Sequence, residues 1–202
     1  MIINEMAVRD AYRIEPAPIP DGRGRFYEAL RHDTLLAATG HSIEVRQVNF
    51  TVSRRNALRG IHSTTLPPGQ GKIVTCVRGA ALTMVVDLRP GSPTFGGHDV
   101  IRQDPDSAVA VYLPDGLGLG YLALADDTCM NYLCTREYVH GTIIDIDALD
   151  PELRLPWNLT EPPIRSARDA AAPTLGAALA EGVLPTYEEC LGSYPTALSS
   201  GD

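Results

Sequence analysis

Short β-rich segments follow one another through the middle of the chain, and each is closed by a turn signal. They occupy residues 72–78, 80–88, 108–113, 120–125 and 128–134. Pro- and Gly-containing turns such as Arg89-Pro90-Gly91 and Pro114-Asp115-Gly116 lie between them. Helical periodicity is scarce in this region, so the spacing predicts an all-β antiparallel sandwich or barrel.

The length of 202 residues and the 44% hydrophobic content predict one globular domain, residues 1–202, with its own core. A short helix is expected to be capped by Asp33 and closed by Gly40, and a second is expected over residues 173–181. The tail from about residue 190 to residue 202 offers little apolar surface and is expected to be frayed.

Charge and cysteine usage limit the class of partner. A net charge of -8 argues against nucleic acid, although a local arginine pocket could still bind a phosphate. No basic, apolar leader and no apolar run of roughly 18 residues is present, which predicts a cytoplasmic protein without a membrane partner. The four cysteines lack CxxC spacing, so buried reduced thiols are expected.

Residues 44–52 alternate in polarity along a predicted strand. Gln47 and Asn49 share one face, and Val48 and Phe50 share the other. The polar pair could line a wet cavity inside a closed β fold, or it could lie on an exposed sheet face. The alternation alone leaves these two interpretations equally open.

The stretch LRGIHSTTLPPGQGKIV, residues 58–74, places His62 and Lys72 on adjacent β segments. Lys72 is the only lysine among 17 basic residues, which favours a site that needs a compact ammonium with a movable pKa. A lone histidine is more often structural, so its partners decide its role. Tyr132 and Asp169 could join the pair to supply an acid, a base, an orienting carboxylate and a cation for moving a proton next to a carbonyl.

Other chemistries lack their motifs. His62 has no HxH neighbour and the remaining histidines are scattered, so no metal site is expected. Dinucleotide, P-loop and serine-hydrolase motifs are also absent, and we expect no cofactor. A metal-dependent barrel enzyme stays as an alternative that elemental analysis would settle.

Seven strings in order carry a family resemblance: DGRGRFYE, QVNFTVS, LRGIH, PPGQGKIVTCVRG, VVDLRPGSPTFGG, VYLPDG and LDPELRLPW. Together with Asp169 they span about residues 21–169, and they resemble the dTDP-4-dehydrorhamnose 3,5-epimerase family of cupin-type β-barrels. The stretches PPGQGKIVTCVRG and LPTYEEC are most similar to the enzymes that make deoxysugars for antibiotics. The resemblance implies a jelly-roll barrel with a few short helices, the C-terminal helix lying outside it.

The resemblance also implies a reaction. His62 would remove the proton alpha to the C4 ketone of a dTDP-4-keto-6-deoxyhexose, and Asp169 would orient the imidazole. Lys72 would stabilise the enolate, and Tyr132 would return a proton from the opposite face. The outcome would be epimerisation at C3, at C5 or at both, without a cofactor.

Further site residues follow from the same resemblance. Arg59 and Arg168 would bind the diphosphate, because a guanidinium suits its oxygens. Gln47 and Asn49 would line the pocket, and Tyr138 would pack on the nucleotide.

The implied assembly is a homodimer that exchanges an N-terminal strand. Arg23, Phe26 and Glu28 would then reach the nucleotide across the interface. These three residues surround the turn near the end of the extended, proline-punctuated N-terminal segment.

Two positions depart from the family pattern. Leu119 stands where a histidine is usual, and Ser63 stands where an aromatic residue is usual. Leu119 removes a hydrogen-bonding group, and Ser63 is expected to open space beside the base. The alternative function is therefore a sugar-nucleotide-binding homologue with weak or lost turnover.

Overall fold

Residues 1–195 are described by a computed structural model, and they form two facing antiparallel sheets and a small hairpin sheet. The strands in chain order are β1 (Ile2–Glu5), β2 (Tyr12–Glu15), β3 (Ile19–Asp21), β4 (Gly24–Phe26), β5 (Gln47–Ser53), β6 (Leu58–Thr64), β7 (Lys72–Arg78), β8 (Ala81–Asp87), β9 (His98–Gln103), β10 (Ala110–Leu113), β11 (Leu117–Ala123), β12 (Thr128–Cys134) and β13 (Ile143–Asp145). One sheet has the order β1-β2-β10-β7-β12-β5, the other has the order β13-β6-β11-β8-β9, and β3 pairs with β4. The predicted all-β antiparallel barrel is confirmed.

Side chains from both large sheets fill the space between them. Val74 of β7 and Met130 of β12 pack in one buried cluster with Val85 of β8 and Leu119 of β11. Alternate residues of each strand point inward, as the period of two requires. This cluster closes part of the interior and leaves the remainder as a cavity.

Strand β11 begins at Leu117, three residues before the predicted start. Gly118 and Gly120 within it allow close packing against β6. A Cβ on Gly118 would lie 2.5 Å from Ile61, and a Cβ on Gly120 would lie equally close to the same side chain. Glycine therefore lets Ile61 of β6 seat against the backbone of β11. The glycine-rich stretch at residues 117–121 is therefore part of a strand.

The helices are short: α1 (His32–Thr39), α2 (Ala167–Ala170), α3 (Leu175–Ala180) and α4 (Tyr187–Ser193). Helix α1 ends at Gly40 in the left-handed conformation, as predicted, but Asp33 is not its N-cap. Arg31 holds that position, and the Asp33 carboxylate accepts hydrogen bonds from the Arg31 guanidinium. Helix α3 corresponds to the helix predicted over residues 173–181.

The C-terminal segment packs outside the barrel on the five-stranded sheet. Trp157, Leu175 and Leu184 join a second buried cluster with Met84 and Val86 of β8. The predicted position of the C-terminal helix outside the barrel is therefore confirmed.

The prediction of a frayed tail from residue 190 is wrong up to residue 194. Helix α4 carries a capping box between Thr186 and Glu189, and it buries Cys190 completely. Tyr194 is also buried, where its hydroxyl accepts a hydrogen bond from Arg89. A buried phenol and a capped helix give this segment the anchors that its polar composition concealed. The rest of the predicted tail, residues 196–202, lies outside the described residues.

All four cysteines are free thiols, as expected, and Cys76, Cys134 and Cys190 are buried. Cys129 is only partly buried. None of the helices in residues 1–195 has the length and apolar character needed to span a membrane.

Candidate active site

A cavity of about 430 Å³ opens between the two large sheets. Polar and charged side chains from both sheets line it, together with Gln70 and Tyr138 from loops and Arg168 from α2. The lining includes Gln47, Asn49, Thr51, Arg59, His62, Gln70, Lys72, Leu119, Tyr121, Tyr132, Tyr138 and Arg168. This concave site combines an apolar floor with convergent polar groups, which is typical of a small-molecule site.

An irregularity in β6 brings two functional groups to the same wall. Arg59 and His62 are three residues apart, so strict alternation would send them to opposite faces. The pairing of β6 with β11 shifts register here, because His62 pairs with Leu119 whereas Arg59 pairs with Tyr121. Gly60 occupies the shift with a φ of 102°, and a Cβ there would lie 2.5 Å from the Leu119 carbonyl oxygen. The bulge therefore requires glycine.

His62 is held by a carboxylate that follows it by 107 residues. Its Nε2 donates to Asp169 Oδ1 at 2.6 Å. Asp169 lies in the first turn of α2, where its backbone N–H donates to the N-cap side chain of Ser166. Burial by itself would raise the pKa of Asp169, but the hydrogen bond from His62 and the nearby charges lower it. An ionised carboxylate therefore fixes the imidazole with the Nδ1 lone pair unused.

A second carboxylate, Asp145, completes this cluster and was missed in the sequence analysis. Its Oδ1 lies 3.5 Å from His62 Nε2, and its two oxygens accept from Arg168 at 2.7 and 2.9 Å. These hydrogen bonds raise the pKa of Arg168. Asp145 is the register partner of His62 across β13 and β6. Positions 62 and 145 are 83 residues apart in the sequence, so only the pairing of β13 with β6 brings them together.

The opposite sheet supplies Lys72 and Tyr132. Lys72 pairs with Cys134 across β7 and β12, so Lys72 and Tyr132 project from one face of that sheet. Burial lowers the pKa of Lys72, with a partial opposing effect from Cys134 and Asp115. Burial also raises the pKa of the Tyr132 phenol well above its usual value. Within residues 1–195 the Lys72 ammonium has no hydrogen-bond partner, so it is available to a ligand.

Strand β5 settles the two interpretations of its alternation. Gln47 and Asn49 line the cavity, where the Gln47 amide donates to Asn49 Oδ1 at 2.8 Å. The Gln47 side-chain oxygen also accepts from the Tyr138 backbone N–H at 2.7 Å, which fixes Tyr138 at the rim. Val48 and Phe50 on the other face are exposed. The polar face is therefore the cavity wall.

A chain of three hydroxyls supports Arg59, and none of the three was predicted as part of the site. Arg59 Nε donates to Ser53 Oγ at 3.0 Å, and Ser53 Oγ lies 2.8 Å from the Tyr121 hydroxyl. The Tyr121 hydroxyl lies equally close to Thr51 Oγ1. Arg59 forms no ion pair with another described residue, so its two terminal nitrogens are free for an anion.

The three residues expected at a dimer interface lie away from the cavity of their own chain. Arg23 is at the tip of the β3–β4 hairpin and pairs with Asp21. Phe26 is 62% exposed, and Glu28 pairs with Arg31. A single chain therefore does not bring this group to the cavity.

Of the two positions that depart from the family pattern, one lines the cavity and the other does not. Leu119 lines the cavity directly across the strand pair from His62. Ser63 alternates away from the cavity, pairs with Ile144 and is only 2% exposed. The expectation that Ser63 opens space beside the base is therefore wrong.

His62, Asp145 and Asp169 also bear on the metal alternative, because one potential ligand atom of each lies within 4.8 Å of the others. Histidine spacing could not reveal this group, since the carboxylates are distant in sequence. The Asp145 oxygens are taken by Arg168, and the near Asp169 oxygen is taken by His62. The cluster is thus internally paired as an ion-pair network.

The fold and this cavity define the class of protein: a cupin-type β-barrel with acid–base groups on facing walls. A family profile described as dTDP-4-dehydrorhamnose 3,5-epimerase matches residues 5–177. The chain therefore belongs to the dTDP-4-dehydrorhamnose 3,5-epimerase family.

Solved structures agree with that assignment. The rmlC epimerase of Mycobacterium tuberculosis is 42% identical with a TM-score of 0.92, over 96% of this chain and 98% of that one. ChmJ, a 3'-monoepimerase from Streptomyces bikiniensis in complex with dTDP-quinovose, is 44% identical with a TM-score of 0.89, over 93% and 94%. NovW, a 4-keto-6-deoxy sugar epimerase from the novobiocin biosynthetic gene cluster of Streptomyces spheroides, is 40% identical with a TM-score of 0.91, over 94% and 95%.

Proposed function

We propose that this protein epimerises a dTDP-4-keto-6-deoxyhexose at C3, at C5 or at both. The single observation that carries the proposal is the placement of a carboxylate-bound histidine on one wall of the cavity and a lysine and a tyrosine on the facing sheet. Inversion at a carbon needs a base and an acid on opposite faces of the sugar ring. The names of the structural relatives support the same substrate class.

Proton removal is assigned to His62. The ionised Asp169 accepts the Nε2 hydrogen, which leaves Nδ1 as the basic nitrogen. Nδ1 takes the proton from the carbon alpha to the C4 ketone, and the electron pair moves to the ketone oxygen. Asp169 then stabilises the imidazolium that forms.

The facing sheet handles the enolate and its reprotonation. The Lys72 ammonium has no competing partner among the described residues and balances the negative oxygen. Tyr132 keeps its proton at neutral pH, because its pKa is raised, and it delivers that proton to the carbon from the other face. The carbon is then inverted, and both groups recover their resting states by exchange with water.

Binding of the nucleotide is assigned to groups at the rim. Arg59 and Arg168 bind the diphosphate, and Gln47, Asn49 and Tyr138 contact the remainder of the substrate. The free nitrogens of Arg59 support its role most directly.

A homodimer would complete the site. The β3–β4 hairpin exposes Ile19 and Phe26, and the outer face of the edge strand β5 exposes Val48, Phe50 and Val52. The exposed apolar residues of the hairpin would pack against those of β5 in a second copy of the chain, and this contact would bury both surfaces. Arg23, Phe26 and Glu28 would thereby approach the partner's nucleotide.

The domain organisation, the absence of a cofactor, the cellular compartment and the pathway type are also proposals. We infer that the chain works as one domain, without a cofactor, in the cytoplasm, where four free thiols are stable. NovW comes from the novobiocin biosynthetic gene cluster, and this supports deoxysugar biosynthesis for an antibiotic as the pathway type.

One observation favours a second candidate, a sugar-nucleotide-binding homologue with weak or lost turnover. Leu119 places an apolar side chain directly across from the base, where it cannot hydrogen-bond a ketosugar. Binding of thymidine diphosphate without any turnover would favour this candidate.

The experiment is incubation with dTDP-4-keto-6-deoxyglucose in heavy water, with label read by carbon position. Wild-type protein is expected to incorporate deuterium at C3, C5 or both, and His62→Ala to incorporate none. Because Lys72 is the only lysine, amine-directed modification gives an independent check. Thymidine diphosphate sugar is expected to protect Lys72, and unhindered modification in its presence would count against the assigned role.

A further inference from the structure

Arg168 can pair with either of two anions, the Asp145 carboxylate or the diphosphate of the proposed substrate. It lines the cavity, where the proposed substrate carries a diphosphate, yet both of its donor contacts go to Asp145. Asp145 in turn lies 3.5 Å from the nitrogen of His62 that binds Asp169. We propose that Asp145 is a positioning residue that holds Arg168 in the free enzyme and releases it to the diphosphate when substrate binds. This inference rests on the proposed function.

The exchange is energetically feasible. The Arg168 side chain is 53% exposed and that of Asp145 is 18% exposed. The pair is bidentate, but the solvent access of Arg168 limits its net strength, and a diphosphate offers several charged acceptors in the same geometry to the same guanidinium. Arg59 already has two free nitrogens at this cavity, so the incoming anion meets one unpaired cation before it recruits the second.

Release of Arg168 changes the charge beside the base. In the free enzyme, the cluster holds two carboxylates, Asp145 and Asp169, and one guanidinium. When Arg168 turns to the diphosphate, the Asp145 carboxylate loses its counter-ion while it stays near the imidazole. An unpaired negative charge at that distance favours the imidazolium that proton abstraction creates. Nucleotide binding would therefore strengthen the base at the moment when a substrate is present.

Other ionisable groups also face His62. Asp169 and Arg168 approach from α2, and Asp145 approaches from β13. Lys72 and Tyr132 face it across the cavity. Of these groups, only Arg168 has a partner that a bound anion could replace, which makes the Asp145–Arg168 pair the coupling element.

The test measures binding of thymidine diphosphate by calorimetry and turnover of the keto sugar. Asp145→Asn keeps the shape and removes the charge that holds Arg168. Thymidine diphosphate is expected to bind about 2- to 5-fold more tightly, because the competition is lost. At the same time kcat is expected to fall about tenfold or more, because the imidazolium loses its second carboxylate. Asp145→Glu should recover part of kcat.

A double-mutant cycle with Arg168→Gln separates this mechanism from a general charge effect. In the Arg168→Gln background, Asp145→Asn should leave the affinity for thymidine diphosphate unchanged. Asp147→Asn is the matched control, since Asp147 pairs with Arg165 at 2.6 Å and lies two residues further along the chain. That control should alter neither affinity nor kcat.

The inference is overturned if Asp145→Asn fails to tighten binding, or if it tightens binding equally in the Arg168→Gln background. Thermal unfolding of each variant excludes misfolding as the cause. A wild-type protein that binds thymidine diphosphate but shows no turnover would refute the proposed epimerase. The affinities of the Asp145 and Arg168 variants for thymidine diphosphate would then still decide the present inference. The two failures are therefore distinguishable.

Discussion

His62 Nε2 lies 2.6 Å from Asp169 Oδ1, although strand β6 and helix α2 are separated by most of the barrel sequence. The contact requires the C-terminal segment to return to the mouth of the barrel and to begin a helix at Ser166, whose side chain caps α2. A short capped helix can thus place one buried carboxylate behind one strand histidine. The barrel supplies the wall, and the segment outside it supplies the partner of the base.

Asp169→Asn is expected to lower kcat by roughly 100-fold with little change in KM. The amide keeps the size of the side chain but cannot stabilise the imidazolium. Steady-state kinetics checks this expectation. Thr174→Ala, which removes the N-cap of α3, is the control: it should cost about 1 kcal/mol of stability and leave kcat intact. Equal losses of kcat in both variants would contradict the assignment.

The alkaline limb of the kcat profile should report Lys72. The enolate needs a charged ammonium, and burial lowers the pKa of Lys72, so the charge is lost as the pH rises through that lowered value. Tyr132 has a raised pKa and keeps its proton through the same range. We therefore expect activity to fall at a midpoint below about 10.4, the usual lysine pKa.

Lys72→Arg should move that limb to higher pH, because a guanidinium stays charged, even if the rate itself is lower. A limb that stays in place in Lys72→Arg would assign the titration to another group.

Arg89→Met is expected to destabilise the fold without acting on the cavity. Arg89 is completely buried and donates to Asp87, to Asp10 at 2.8 Å and to Tyr194. Removing it leaves two buried carboxylates uncompensated, at a cost of about 3–5 kcal/mol. Thermal unfolding should show a fall in Tm on the order of 10 °C.

Arg13→Ala is the control for this effect. Arg13 pairs with Glu15 at 2.6 Å on the surface, so its loss should cost less than about 1 kcal/mol. An Arg89→Met protein as stable as Arg13→Ala would mean that the buried network contributes little.

Phe26→Asp is expected to weaken the proposed homodimer. It would place a charge on the hairpin residue that is offered to a second copy of the chain. Sedimentation should show a wild-type dimer and a shift of the variant towards monomer. Val139→Asp, at another exposed apolar position next to Tyr138, would serve as the control and should stay dimeric. A monomeric wild-type protein would exclude the dimer.

Local pattern was sufficient where one strand determines its own faces. The alternation in β5 predicted that Gln47 and Asn49 share one face, but it left open whether that face lines a cavity or is exposed; the fold puts it on the cavity wall. Pattern was insufficient where two elements must meet. Asp145 reaches His62 only through the pairing of β13 with β6, and Arg59 joins His62 only through the register shift at Gly60.

The tail shows the same limit. Its composition predicted fraying from residue 190, but Tyr194 is buried against Arg89, which is more than 100 residues earlier. A short polar segment can be ordered by one aromatic anchor and one buried cation, and neither is visible as a periodicity. Ser63 was misplaced because its neighbour His62 was considered without the pleat that sends the two side chains to opposite faces.

The most direct test of opposite-face chemistry separates proton removal from proton return. In heavy water with dTDP-4-keto-6-deoxyglucose, Tyr132→Phe should still exchange the alpha hydrogen for deuterium while it forms little or no inverted sugar. His62→Asn should show neither exchange nor inversion, because the base acts first. Exchange and inversion at wild-type rates in His62→Asn would show that the base lies elsewhere and would contradict the account.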